Sequence, residues 1–519
     1  MRRIAVRFRR WTPLSAVLVL SACTTLGPDY QEPDVAWLHD WQPDLYGQIA
    51  DSEQQSELDL QFWWHLFDDS ILNELIETAK QENPSLRIAG LNILASRAQL
   101  GIATSNRYPQ SQQASADVAY VNTQQSGGVV SNDQDLTSYQ AGFGIGWELD
   151  FWGRFQRGIE SADAAFFASI ANQQDAQVLL SATVTSLYFT YRTTLLQIEV
   201  AKRNADIQKR SFDITRQLFE DGQSSELDLQ QAKTQYLATL ATVPSLEAAL
   251  VQTSNALGAL LGRAPGDMPE IKGLTGKLPA VEPLLVEAVP ARLLLRRPDI
   301  RAAAWQVAAQ SAQIGIAEAD FYPAITLLGS IGWSGNSLSA SPDTGTLAVG
   351  PSVTWNLFDH GRIRNNVRLQ DALLQQAIEN FQNSALQAAR EIDDAAISVL
   401  KTGERQKLLV EAANAAQRSL DLANKLFNEG YANFNRVLDA QRSLFAQTQN
   451  EITNQSDHIS AVIDLYKSLG GGWLDTPVEQ LLPQAIRDTM QERSDWGDLL
   501  NAPLPAPTQQ PLPGSENSR

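Results

Sequence analysis

The chain has 519 residues, 43 % hydrophobic and 19 % charged, with 59 Asp and Glu against 40 Lys and Arg, for a formal net charge of −19. That balance excludes a disordered polymer and a helical membrane protein, and the excess of acid argues against nucleic acid as a partner. One Cys and four His leave next to no material for a disulfide framework or a structural zinc site.

The first 22 residues hold five of the Arg and none of the acids, so their removal would bring the charge to −24. Arg2, Arg3, Arg7, Arg9 and Arg10 precede the apolar run Leu14 to Leu20, which is the pattern of a secretory signal peptide over 1–22. Leu20-Ser21-Ala22-Cys23 resembles a bacterial lipobox, which makes Cys23 the expected acylated mature N-terminus. Thr24 follows in place of the Asp that retains many such lipoproteins at the inner membrane, so the expected address is the outer membrane. A polar tether is predicted over 23–60, beginning with Gly27-Pro28-Asp29-Tyr30 and Pro33.

From residue 61 the chain reads as two copies of one structural half. Adding 208 carries Trp147 to Trp355, Gly153-Arg154 to Gly361-Arg362, Gly222 to Gly430 and Leu261-Gly262 to Leu469-Gly470. Upstream an offset of 214 carries Asn83-Pro84 to Arg297-Pro298 and Tyr108-Pro109 to Tyr322-Pro323. The first half, 61–262, opens on Phe62-Trp63-Trp64-His65-Leu66-Phe67, where His65 reads as a packing residue. Asp69 or Ser70 caps a helix from Ile71 to Glu82, and Pro84 restarts a second one that Tyr108-Pro109 stops.

Strands follow at about 110–122 and 137–149, with Ser126-Gly127-Gly128 in the turn between them. In the second, Tyr139, Ala141, Phe143, Ile145, Trp147 and Leu149 alternate with Gln140, Gly142, Gly144, Gly146 and Glu148, a period of two with one greasy face. Long helices are predicted at about 153–221 and 225–261. Ile159 to Asp221 runs 63 residues without Gly or Pro, and Val184, Tyr191, Ile198, Ala205, Phe212 and Phe219 recur every seven, the signature of a coiled coil. Ser225 with Asp228 forms a capping box at the start of the return helix, in which Pro244 should introduce a kink.

A Pro- and Gly-rich crossover spans 263–296. The second half, 297–473, repeats the pattern with strands at about 323–333 and 345–358 and long helices at about 361–429 and 434–469. A C-terminal segment, 474–519, ends in a Pro-rich tail with a disordered composition. Each hairpin has strands near the ~10 residues that a tilted membrane strand needs. Four strands cannot close a barrel, and open edges are intolerable in lipid, so two chains (eight strands) or three (twelve) must combine.

At this point the chain resembles the TolC-like outer membrane efflux proteins, in particular the lipid-anchored OprM/NodT type. The residues that carry the resemblance are the lipobox, Gly27-Pro28-Asp29-Tyr30, Trp63-Trp64 with Phe67-Asp68, Glu148-Leu149-Asp150 with Trp152-Gly153-Arg154, Arg297-Pro298-Asp299-Ile300-Arg301 and Leu438-Asp439-Ala440-Gln441-Arg442-Ser443-Leu444. It implies a mainly α protein with membrane β, a trimeric 12-stranded barrel continued by a long α-helical coiled-coil barrel. It also implies a gate at the helix tips. Asp439 falls at the position of the family's acidic ring, and Asn435 where lipid-anchored members carry a Leu ring. Asp228 matches an acid that in some members pairs with a Tyr and an Arg, but Phe427 and Ala432 occupy those positions, which leaves Arg436 or Lys425 as expected partners.

The implied function is a passive exit duct for drugs or other small toxic molecules, served by a periplasmic adaptor and driven by an inner membrane pump. Protein secretion through the same duct is the alternative. An envelope enzyme would have to use Glu148 and Asp150, which stand at a strand end, and a coiled-coil spacer would need no greasy strands. No cofactor, metal or catalytic residue is expected.

Overall fold

The computed structural model describes residues 25–39, 41, 49–50, 60–123, 134–281, 286–287, 294–336 and 344–505. The signal peptide, Cys23, the turn at Ser126-Gly127-Gly128 and the tail beyond residue 505 lie outside these. In chain order the elements are β1 (Ile49–Ala50), α1 (Ser70–Glu82), α2 (Pro84–Ser105), β2 (Ser111–Thr123), β3 (Gln134–Leu149), α3 (Arg154–Glu220) and α4 (Glu226–Leu260). They continue as β4 (Val286–Glu287), α5 (Pro298–Ala319), β5 (Ala324–Gly335), β6 (Thr344–Thr354), α6 (Arg362–Asn428), α7 (Phe434–Ser468), α8 (Val478–Leu481) and α9 (Gln484–Arg493).

The duplication holds to the residue. α3 and α6 each have 67 residues, and α4 and α7 each have 35. At ~1.5 Å per residue, the longer pair extends about 100 Å. Their ends are set by backbone chemistry. Gly222 and Gly430 close the Schellman turns at φ +72° and +81°, with Gly222 N donating to Phe219 O and Gly430 N to Phe427 O, both at 3.0 Å. At the starts, Asp150 accepts from the amides of Phe155 and Gln156, and Asp359 from those of Gly361 and Ile363, so a carboxylate meets the unsatisfied N–H groups of each rod. α4 runs unbroken with Pro244 in its interior.

The lower part of α3 packs on α4 and α7, and the lower part of α6 on α7. Above, α2 and α5 flank α3, and α5 also packs on α6. The largest core surrounds Trp63, Trp64, Leu72, Leu75, Ile76 and Tyr188, with Phe381 and Ile392 of α6 and Ile459 and Leu465 of α7. The Trp63 ring stacks on Tyr466 at 5.6 Å, and His65 stacks on Phe62. Arg297 ties three helices into this core. Its guanidinium donates to Asp299 and Glu391, and its Nη1 to the Ser468 carbonyl at the end of α7 at 2.8 Å.

β2-β3-β5-β6 form one antiparallel sheet with β2 and β6 at its edges. The register places Phe143 opposite Ile331 and Ile331 opposite Leu347, so these share a face with Val118, Tyr120, Val349 and Val353, all exposed. The other face is concave and carries Ser111, Gln113, Ser115, Gly144, Gly146, Thr326 and Ser330. Trp147 donates its indole N–H to the Arg107 carbonyl, and its counterpart Trp355 to the Phe321 carbonyl at 2.9 Å, so both hairpins are pinned to the helices in the same way. β6 stops at Thr354 and not at about 358, because Thr354 lies opposite Ala324, the first residue of β5, and beyond it β6 has no strand to pair with. Among the described residues no helix is long and apolar enough to cross a membrane.

Candidate functional site: the helix tips

The two hairpins α3–α4 and α6–α7 turn at the end of the rods farthest from the sheet. A small apolar cluster holds them together there, formed by Ala232, Leu420, Phe434, Val437 and Leu438 with Phe212, Phe427 and Leu444 around it. Phe427 lacks the hydroxyl that a Tyr would offer an acid. It packs edge-on against Phe434, with centroids 5.2 Å apart.

The capping box expected at Ser225 and Asp228 is present: Asp228 N donates to Ser225 Oγ at 3.2 Å, and Ser225 N to Asp228 Oδ2 at 3.3 Å. The carboxylate also accepts from the Ser225 hydroxyl at 2.7 Å and from Ser224 at 3.3 Å, while its other oxygen accepts from Asn435 Nδ2 at 3.3 Å. The Ser225 hydroxyl, with the other donors, holds this acid below the ordinary aspartate range. Its partner across the hairpins is therefore the amide of Asn435, and neither Arg436 nor Lys425, both exposed, is among the partners it takes within the chain.

Asp439 lies one position past buried Leu438 and points away from the cluster, its side chain 73 % exposed, with Arg442 Nη1 at 3.4 Å. Asp228 and Asn435 are thus brought together, while Asp439 and Arg436 face outward, as groups would that meet other copies of the chain. Cys23 lies outside the described residues.

A polar layer above the tips was not expected from the sequence. Asn204, Gln208, Ser211 and Thr215 of α3 are buried at steps of four, three and four, a coiled-coil spacing occupied by polar side chains. Gln441 donates to Ser211 Oγ at 2.8 Å and Gln235 to the Leu438 carbonyl at 3.4 Å, but the side-chain carbonyl oxygens of Gln208, Gln235 and Gln441 are buried without a partner. A cavity of about 310 Å³ adjoins them, lined by Gln208, Gln235, Thr239, Arg442 and Phe445 among others. The seam just behind the tips is less tightly sealed than the apolar core above it.

A sequence profile described as outer membrane efflux protein matches residues 75–263 and 289–471. The chain is similar to the probable outer membrane lipoprotein SilC of Salmonella typhimurium, 29 % identical over 89 % of this chain and 98 % of that one. It is also similar to the toluene efflux pump outer membrane protein TtgI of Pseudomonas putida, 30 % identical over the same shares of each. The solved outer-membrane channel OprN superposes with a TM-score of 0.78 at 32 % identity, covering 87 % of this chain and all of that one. Paired rods of equal length, a half-apolar open sheet and a profile match spanning both halves carry one conclusion: the chain belongs to the outer membrane efflux protein family.

Proposed function

We propose that this chain is one third of a trimeric outer membrane duct, lipid-anchored through Cys23, through which small toxic molecules leave the cell. The observation that carries the reading is the sheet. β2 and β6 are unpaired edges of 13 and 11 residues flanking a face of large exposed apolar side chains. In lipid each unsatisfied backbone group costs several kcal/mol, and two edges hold on the order of twenty such groups. The sheet is stable there only if β6 of one copy pairs with β2 of the next. Three copies give twelve strands, and the concave polar face becomes the wall of a wet lumen.

The rods extend this wall through the periplasm to the tips, where Asp439, Asp228, Asn435 and Arg436 form the gate. Work against a gradient has to come from an inner membrane pump, coupled through a periplasmic adaptor at the tips. The solvent efflux and toluene efflux proteins among the relatives support a small-molecule cargo.

Mass measurement of the detergent-solubilised protein should give three copies, and deletion of the gene should raise sensitivity to dyes, solvents and antibiotics. A stable membrane-inserted monomer would defeat the strand argument. A deletion that spares drug resistance and strands a protein in the periplasm would favour secretion.

A further inference from the structure

The segment after Cys23 is held firmly where it is described. Leu26 N donates to the Trp152 carbonyl at 3.2 Å. Arg157, in the first turn of α3 and only 4 % exposed, donates from Nε to the Leu26 carbonyl at 2.9 Å and from Nη2 to the Gly27 carbonyl at 3.1 Å and to Asp29 Oδ1 at 2.8 Å. Its Nη1 donates to Glu160 at 2.8 Å. Gly27 has φ +82°, and a Cβ on it would stand 2.5 Å from the Gly315 Cα in α5. A Cβ on Gly315 would in turn run into the Leu26 carbonyl oxygen and the Arg157 side chain. Two glycines, 288 positions apart, thus let backbone lie on backbone beside one buried cation.

Most of the hydrogen bonds that satisfy this guanidinium come from the N-terminal strap. Without it Arg157 would keep Glu160 alone, and a buried charge stripped of partners is costly. Strap and arginine therefore stabilise each other.

We propose that Arg157, with Gly27 and Gly315, is a dock for the N-terminal strap that fixes the acyl anchor at the periplasmic rim of the barrel. The proposal rests on the reading of Cys23 as the acylated residue. Cys23 stands two positions before Thr25, so the anchor reaches at most ~7 Å beyond the docked chain. The dock is at the rim itself: Trp152, whose carbonyl receives Leu26, stacks on Tyr322 at 4.6 Å and donates its indole N–H to the Pro323 carbonyl at the base of β5. Such ring pairs suit the membrane–water boundary. A free flexible tether from Cys23 to Leu60 would let the anchor wander by ~35 Å. Docking instead sets the acyl chains and the barrel at one depth before the edges of the sheet are closed by other copies.

The test compares the full-length protein with Gly27→Ala, which leaves the body of the protein untouched, and with Arg157→Ala. By hydrogen–deuterium exchange of the purified protein, the peptide spanning Leu26–Asp34 should lose protection about tenfold or more in both variants, with α3 to α7 unchanged. Palmitate labelling in cells should equal wild type, while the fraction of chains recovered as membrane-inserted trimer should fall several-fold. Unchanged protection in both variants would overturn the dock, and a released strap with wild-type trimer yield would overturn its anchoring role. Loss of palmitate label in the wild-type protein would instead sink the Cys23 reading, and the strap's protection would still be measurable.

Discussion

Asp228 and Asn435 meet at 3.3 Å across the two tip hairpins, although 207 positions separate them. By the repeat offset of 208 the counterpart of Asp228 is Arg436, so the acid takes the residue beside its own counterpart. This places an uncharged donor where an ion pair was expected, and it shapes the first prediction. Asp228→Ala and Asn435→Ala should each raise the conductance of the channel in planar bilayers, and the double variant should do no more than Asp228→Ala, which already removes the contact with Asn435. A folded-state pKa held below the ordinary value means the carboxylate's contribution is present above the unfolded pKa and lost as pH falls through the folded one. The difference between wild type and Asp228→Asn should therefore stay constant from pH 8 to about 4, the ordinary aspartate range, and vanish only below it.

Asp439 faces away from its own hairpins and touches only Arg442 among the contacts seen within the chain. Three such carboxylates around an axis would favour cations over anions. Asp439→Ala should raise conductance and reduce cation preference, measured as a shift in reversal potential under a salt gradient. Glu404→Ala, on the exposed face of α6, should change neither. Unaltered selectivity in Asp439→Ala would mean that the constriction lies elsewhere.

The unpartnered side-chain carbonyl oxygens of Gln208 and Gln235 give a prediction of opposite sign. A buried polar group without a partner costs about 1–3 kcal/mol, and Leu has similar length without the penalty. Gln208→Leu and Gln235→Leu should raise the melting temperature of the purified trimer and lower spontaneous channel opening. If either variant melts lower than wild type, those oxygens are satisfied in the assembled channel.

Asp175 supplies a pH test in the upper part of the rods. Burial, with Asp299 and Glu391 nearby, pushes its carboxyl up to about 6, and the Arg297 guanidinium only partly opposes this. A raised acid binds its proton more tightly when folded, so its effect is to make stability fall as pH rises between about 4 and 6. Asp175→Asn should therefore melt like wild type at pH 4 and ~1–2 °C higher at pH 7. Equal melting temperatures at both values would refute it.

Much of this architecture is legible in the sequence because it is dictated locally. The ends of all four long helices fall within one residue of expectation, since Gly153 and Gly222 bound α3, Gly361 and Gly430 bound α6, and Gly262 and Gly470 follow α4 and α7, each at a positive φ. The greasy alternation of β3 gives its face and, through the duplication, that of β6. What the sequence withholds is lateral. Asn435 faces Asp228 because of how two hairpins lie side by side, which no spacing within either helix encodes. Asn204, Gln208, Ser211 and Thr215 carry a coiled-coil period, but polar residues at that spacing read as a solvated face until the neighbouring helices are known. Arg157 is one of several arginines near a helix start, and its burial follows from a strap more than a hundred residues upstream. The resemblance implied a Tyr and an Arg as partners of Asp228, and at the Tyr position Phe427 packs on Phe434 instead.

The concave face of β3 presents Gly142, Gly144 and Gly146 between Phe143, Ile145 and Trp147, so the wall of the barrel there is bare backbone. The side chains on that face come from the neighbouring strands and are short and polar for the most part, such as Ser111, Ser115, Thr326 and Ser330. On the proposed gate, discrimination would fall to the tips, about 100 Å away by the length of the rods. With such a gate the two ends of the molecule could diverge separately: substitutions at residues such as Asn435 and Asp439 would retune the traffic without endangering insertion, and the outward apolar residues could follow the lipid without altering the cargo. A bulky residue at Gly144 or Gly146, repeated three times around the axis, would by the same reasoning create a second filter where none is built in.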